Sequence, residues 1–332
     1  MLGTAARAFD MEEDHVFPAA TAQVAQLSIL STTDTAVFGP LIAAYQARHP
    51  GVAVRYTVAS SQQIYLAVTA AAAPGYDVVI SSAMDLQMKL ANDGYARAHA
   101  LPPGVALPGW AQWQDRLFAF AQEPVVVLLS RAALKGLALP HTRRDLIALL
   151  RDDPDRFRGR VGTYDVRASG TGYLFATQEA RQSDSFWRLA EVMGTLAPRL
   201  YTSSADMIAD LKSGALVLAT NVIGSYAAPQ FPPGSDGQIV ELQDLTLTLL
   251  RTAFIPRTAQ RPDLGGGFID FLLGPEGYRL ILASGLPPIG GAAFSDAPHL
   301  RPIRLDPGLL VYLDRLKRQN FLEEWTAALV RH

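Results

Sequence analysis

The sequence predicts an α/β fold in two lobes, and three observations carry that prediction. The chain has 332 residues, too many for one small core and enough for two. From residue 26 onward, short apolar runs alternate with amphipathic ones, the βαβα order of a parallel sheet covered by helices on both faces. Each of the first three expected strands ends in a hydroxyl-rich turn that opens a helix: Ser31-Thr32-Thr33, Ser60-Ser61 and Ser81-Ser82. In an open α/β sheet such turns lie at the carboxyl ends of the strands, where ligands bind. Ser and Thr are also favoured N-caps, so each turn alone reads more readily as structure than as a site. Three in one topological place point to a polar wall.

The elements follow in order. "QLSIL" is a short apolar strand, and "GPLIAAYQARH" places Leu41, Ile42 and Tyr45 at helical spacing until Pro50-Gly51 stops the helix. "VAVRYTVAS" alternates Val52, Val54, Tyr56 and Val58 as a strand, and "SSQQIYLAVTAAAA" is a serine-capped helix with Ile64, Val68 and Ala71 on one face. "YDVVI" reads as a buried strand and "SSAMDLQMKLANDGY" as a third helix with Leu86 and Leu90 on one face. The middle of the chain repeats the logic. "EPVVVLLS", "RVGTYD", "RLYTS" and "ALVLATN" are strands, and "RRDLIALLRD", "YLFATQEARQ", "SFWRLAEVMGTL" and "SADMIADLKSG" are helices. Beyond residue 248 come a strand, a loop, two helices and a Pro-Gly-rich loop, and C-terminal helices close the chain.

Composition removes several function classes. Lys and Arg (29) nearly cancel Asp and Glu (31) for a net charge of −2, so no basic field awaits a nucleic acid backbone. The absence of Cys excludes disulfides and thiolate metal sites. The six histidines (His15, His49, His99, His141, His299 and His332) include no pair at zinc spacing. No stretch approaches the roughly 20 apolar residues of a membrane helix. "MLGTAARAFDMEEDHVFPAA" has no continuous apolar core and does not read as a complete secretory signal. Trimming, a misplaced start codon or a flexible mature extension each account for it, and residues 1–24 are expected to form a tail outside the fold.

The stretch "YDVRASGTGYLFATQEARQ" holds the strongest candidate site. Ser169-Gly170-Thr171-Gly172 sits where a helix should begin, so its N–H groups point outward at the positive end of a helix dipole. It lacks the lysine and spacing of a nucleotide P-loop and the glycine pattern of a dinucleotide fingerprint. As a bare helix start it is plausible. Arg167 lies just upstream, and Tyr164 and Asp165 leave the same strand. A guanidinium beside exposed N–H groups makes a cradle for an anion. An enzyme would need a nucleophile with its base, paired carboxylates or a metal. Ser169 lacks the G-x-S-x-G elbow, no His neighbours these motifs, and Glu123 and Asp165 read as hinge or hydroxyl-accepting acids. The expectation is therefore a binding protein with no catalytic residues, no cofactor and no metal, the runner-up being a hydrolase or transferase for phosphorylated substrates.

The run "LSILSTTDTAVFGPLIAAYQARHPGVAVRYTVASS", the "YDVVISSAMD" strand and turn, and "FIDFLLGPEGYRLI" together resemble type 2 periplasmic solute-binding proteins over roughly residues 25–300. The branch they most resemble is the ferric-ion-binding-like receptors of ABC importers, with their relatives for phosphorylated organic anions. The resemblance implies a two-lobed type 2 fold, each lobe a mixed β-sheet flanked by helices, with a ligand cleft between lobes that a ligand touching both faces would close. It implies lobe 1 at 25–122 and 253–332, lobe 2 at 123–252, and hinges near 122–124 and 250–253. It further implies a periplasmic monomer that hands a small-molecule anionic ligand, such as a sugar phosphate or phosphoglycerate, to an ABC permease or reports it to a membrane sensor kinase. The ferric members hold iron with adjacent tyrosines where this chain has Ser225-Tyr226. One phenol without an acidic cluster is a poor ferric site. Asn221, Ser225 and Tyr226 instead offer neutral hydrogen-bonding groups to a carboxylate, phosphate or sugar hydroxyl, while Tyr226 reads equally as a packed aromatic.

Overall fold

A computed structural model describes residues 9–71, 75–289 and 297–330. They divide into two compact units. Unit 1 draws on Met1–Gln122, Leu250–Gly291 and Arg304–Leu310, and unit 2 on Glu123–Leu249, Ala292–Ile303 and Val311–His332.

The chain opens with β1 (Glu13–Phe17), β2 (Ala25–Ser31), α1 (Thr35–Arg48), β3 (Val52–Val58), α2 (Ser61–Thr69), β4 (Val78–Ser81), α3 (Met84–Asn92) and the short β5 (Ala96–Arg97) and β6 (Gln112–Trp113). β2 pairs in parallel with β3 on one side, from Ala25↔Val52 to Ser31↔Val58, and with β4 on the other. The sequence of β3 is buried along nearly its whole length, as expected of a parallel strand covered on both faces. Helix α1 turns Phe38, Leu41, Ile42 and Tyr45 inward, the i, i+3, i+4, i+7 stripe of an amphipathic helix. They meet Leu27, Ile29, Val54 and Tyr56 from the sheet and Phe268 and Phe271 in one core.

β7 (Leu117–Ser130) carries the chain into unit 2, which contains α4 (Arg143–Asp152), α5 (Pro154–Phe157), β8 (Val161–Tyr164), α6 (Gly170–Gln182), α7 (Phe186–Gly194), β9 (Arg199–Tyr201), α8 (Ser204–Ser213), β10 (Leu218–Ile223), α9 (Gly224–Ala227) and β11 (Gly237–Val240). Its sheet runs β11-β7-β10-β8-β9, with β8 parallel to both neighbours and β7 antiparallel to both of its own. β12 (Thr246–Pro256) then returns to unit 1, where α10 (Pro262–Leu273) and α11 (Pro275–Ala283) cover the core. β13 (Leu300–Pro302), a 3-10 turn (Pro307–Leu313) and α12 (Arg315–Leu329) complete the described chain.

Two expectations are corrected here. Residues 9–24 are not a tail: β1 lies antiparallel on β3, from Glu13↔Val58 to Phe17↔Val54. Asp14 fixes this register, accepting from Arg55 Nε (2.9 Å) and Nη2 (2.8 Å) and from Thr57 Oγ1 (2.9 Å), and Phe9 packs edge-on to Tyr76. Residues 1–8 lie outside the described residues. The C-terminal helix, expected in the first lobe, belongs to unit 2. Phe321, Trp325 and Leu329 repeat every four residues, so one face of α12 is apolar and packs on Phe186, Leu189 and Met193. Gly194 allows the close approach, since a Cβ there would stand 2.2 Å from the Ala328 carbonyl oxygen. The chain passes between the units after Gln122 and after Leu249, and crosses again beyond residue 290, after Ile303 and after Leu310, more often than the two crossings expected.

Candidate functional site

The expected site residues fall on the carboxyl edges of two sheets, one per unit. In unit 1 the turns after β2, β3 and β4 stand side by side because those strands are neighbours. Ser31 is buried and its Oγ accepts the Thr33 N–H (2.9 Å), while Ser81 Oγ accepts the Ala83 N–H (3.1 Å). These two serines close their own turns. Thr33 is also buried, its carbonyl taking the Tyr56 hydroxyl (2.8 Å) and its Oγ1 taking Arg251 Nη1 (2.6 Å). Burial raises the Tyr56 hydroxyl pKa, and Ser31 and the Arg251 charge oppose that rise. Thr32 and Ser82 stay half-buried and meet through the Ser82 N–H and Thr32 Oγ1 (3.4 Å). Ser60 is exposed and caps α2 through the Gln63 N–H, with Ser61 half-buried behind it. Thr32, Ser60, Ser61 and Ser82 are thus the members of this set that face outward.

In unit 2 the corresponding edge is formed by the ends of β8, β9 and β10. Ser169 is the N-cap of α6: its Oγ accepts the Gly172 N–H (3.1 Å) and donates to the Thr202 carbonyl (3.3 Å). As the first residues of the helix, Gly170 and Thr171 have no intrahelical acceptor for their N–H groups. A Cβ built on Gly170 meets nothing within 4 Å, so the ground in front of the helix is open there. Gly172 has a different reason for being glycine. A Cβ there would stand 2.3 Å from Tyr164 Cβ, so this residue lets α6 lie against its own strand and its N–H is spent on Ser169.

Other expected contacts are diverted. Tyr164 is buried, its hydroxyl 2.7 Å from Ser204 Oγ, which in turn accepts the Ile223 N–H (3.0 Å). Burial pushes its pKa up to about 12, and it serves packing rather than an outward edge. Arg167 is not a lone cation. Its Nε and Nη2 hold Asp165 Oδ1 and Oδ2 at 2.8 and 2.7 Å, and its guanidinium lies 5.8 Å from the centroid of Trp325. That fork holds the Asp165 carboxyl below the ordinary carboxylate range. It also leaves the charge at this turn close to neutral. Asn221 sits at a positive φ of 62° where the register of β10 on β7 shifts between Ala219 and Val222, the bulge geometry that re-aims a side chain. Glu123 is buried at the start of unit 2 and accepts a hydrogen bond from Ser225 Oγ, whereas Tyr226 is exposed. Among the described residues, no three His, Cys, Asp or Glu side chains gather as a metal would require.

Four site participants escaped the sequence reading. Ser203 and Ser204 open α8 after β9, and Ser203 caps it through the Asp206 N–H (3.1 Å). They repeat the strand-end serine pair seen at Ser60-Ser61 and could have been found by it. Arg251 and Trp325 carry no local signal, for each acts on a residue more than 150 positions away.

The profile described as bacterial extracellular solute-binding protein matches residues 27–286. The chain belongs to that family. It is also similar to the substrate-binding protein of an ABC transporter from Agrobacterium tumefaciens, at 32% identity over 96% of this chain and 98% of that one, with a TM-score of 0.85. Two more distant likenesses concern the fold. The periplasmic binding protein AfuA from Actinobacillus pleuropneumoniae, bound to fructose 6-phosphate, is 16% identical over 93% of this chain and 100% of its own (TM-score 0.72). Iron-bound HitA from Pseudomonas aeruginosa is 17% identical over 92% and 99% (TM-score 0.69). No curated protein sequence matches the chain. The type 2 periplasmic-binding-protein fold expected from the sequence is thus the fold found. Solute-binding proteins of this kind serve ABC transporters, and no helix among the described residues is long and apolar enough to cross a membrane.

Proposed function

We propose that this solute-binding protein captures a small organic anion bearing a phosphate, such as a sugar phosphate or phosphoglycerate, in the periplasm and passes it unchanged to an ABC permease or a membrane sensor kinase. The observation that supports the reading is the start of α6. Two N–H groups with no intrahelical acceptor, Gly170 and Thr171, stand at the carboxyl end of β8 with open ground before Gly170. Backbone donors at a helix N-terminus suit a phosphate or carboxylate oxygen. The neighbouring Asp165–Arg167 fork adds a carboxylate that accepts hydroxyl protons and a guanidinium that donates. A phosphate on a polyol scaffold uses both kinds of group. The fold-level likeness to a fructose 6-phosphate-bound protein agrees with this. Ferric iron fits less well, since Ser225 already donates to Glu123 and Tyr226 is a single phenol.

The test is native mass spectrometry of the protein as purified, followed by a thermal-shift series of phosphorylated metabolites, dicarboxylates and ferric iron. A phosphate ester at a hundred times its Kd should add about 2.7 kcal/mol of stability and be recovered chemically intact. Stabilisation by ferric iron or a dicarboxylate alone would overturn the ligand class. Turnover of the ester would overturn the receptor reading.

A further inference from the structure

The segment Leu250–Thr252, where β12 enters unit 1, is bonded to two of the ligand-edge turns of that unit. The Leu250 N–H lies 3.2 Å from Met84 Sδ, Arg251 Nη1 donates to Thr33 Oγ1 at 2.6 Å, and Thr252 Oγ1 donates to the Ser81 carbonyl at 3.0 Å. Arg251 is only 4% exposed, an unfavourable place for a guanidinium unless its contacts there matter. Thr33 is gripped from three sides. Its N–H goes to Ser31 Oγ, its carbonyl takes the Tyr56 hydroxyl, and its Oγ1 takes Arg251. A guanidinium can only donate, so Thr33 Oγ1 is the acceptor and its hydroxyl proton points away from Arg251. Half-buried Thr32 lies between Ser31 and Thr33, so its orientation is set by the same three bonds.

We infer that Arg251 is a positioning residue for solute capture. It acts through the Thr33 hydroxyl to hold the Ser31–Thr33 turn in its ligand-facing shape. Together with Leu250 and Thr252 it ties that turn and the Ser81–Met84 turn to the strand that enters the unit. The two turns and the strand then shift as one piece, which links ligand contact at the sheet edge to the chain crossing. This rests on the reading that the carboxyl edge of unit 1 meets the ligand.

Arg251→Met, Arg251→Lys, Thr33→Val and the double variant Arg251→Met/Thr33→Val test it with two measurements. One is amide hydrogen exchange at Thr33. The other is calorimetric affinity for fructose 6-phosphate and 3-phosphoglycerate. Arg251→Met and Thr33→Val should each speed exchange of the Thr33 amide and weaken the ester that binds wild type by about tenfold or more, the loss expected for a charge-assisted contact. Arg251→Lys should recover part of both, and the double variant should be no worse than Arg251→Met alone, because that variant already removes the Arg251–Thr33 bond. Unchanged Thr33 exchange in Arg251→Met, or losses that simply add in the double variant, would overturn the inference. If wild type binds neither ester, the proposed ligand class fails, and the exchange measurement alone decides the role of Arg251. Thr33→Val supplies the answer should Arg251→Met not fold.

Discussion

Replacing Gly170 with proline isolates one backbone donor of the candidate anion site. Gly170 is the first residue of α6, the position where proline is best tolerated in a helix. The residue before a proline must be extended, and Ser169 already is, at φ −105° and ψ 116°. The ring has room, because a Cβ at Gly170 meets nothing within 4 Å. The substitution therefore removes the Gly170 N–H and leaves the Ser169 cap to the Gly172 N–H in place. A hydrogen bond to a charged group contributes about 1.5–3 kcal/mol. Its loss should weaken a bound phosphate ester roughly tenfold to a hundred-and-fifty-fold. The unliganded melting temperature should hold or rise slightly, since proline restricts the unfolded chain. Titration calorimetry against the ester selected by thermal shift measures the effect, with Gly170→Ala as a control that keeps the N–H and should bind like wild type. Wild-type affinity in Gly170→Pro, with melting unchanged, would refute the argument that this helix start holds the anion.

Other substitutions probe the frame around the site. Glu179→Leu should destabilise by about 3–5 kcal/mol in urea melts, the usual cost of stripping one partner from a buried pair. Arg143 is buried, its Nη2 bonds Glu179 at 2.8 Å, and its Nε and Nη1 have no hydrogen-bond partner among the described residues. Adding Arg143→Met should restore most of that loss, and a double variant less stable than Glu179→Leu would contradict the account. Trp325→Ala should cost about 3–5 kcal/mol and release α12 from α7, seen as fast hydrogen exchange over Arg315–Leu329; full protection of that helix would show it is held otherwise. The Asp165 carboxyl pKa is depressed in the folded state. Its contribution is therefore present above the unfolded value of 3.8 and lost as pH falls through the lower folded value. Asp165→Asn should accordingly flatten part of the decline in melting temperature below that pH, and an acid limb identical to wild type would exclude this pair as a contributor.

Local signals in the chain determined much of this protein. Alternating apolar runs set the strands and helices of both units, and hydroxyl residues at strand ends marked where helices begin, because periodicity and capping act within a few residues. The start of α6 was legible for the same reason: Ser169 caps three residues ahead. Only the tertiary structure decided which polar groups remain to meet a ligand. Tyr164 spends its hydroxyl on Ser204, 40 positions on, and Thr33 receives Arg251 from 218 positions away. The sequence offers the Arg167 guanidinium to an anion, whereas Asp165, two residues off, takes it up in a fork that closes only when the turn folds back on itself. The placement of β1 on β3 and of α12 on α7 was likewise set by long-range packing, where "FDMEEDHVF" and "NFLEEWTAAL" state an apolar or acidic face without naming its partner. A sequence fixes what each side chain can donate, accept or bury locally. Which partner consumes that capacity depends on groups brought together across the chain, and in a binding protein the groups left over are the site.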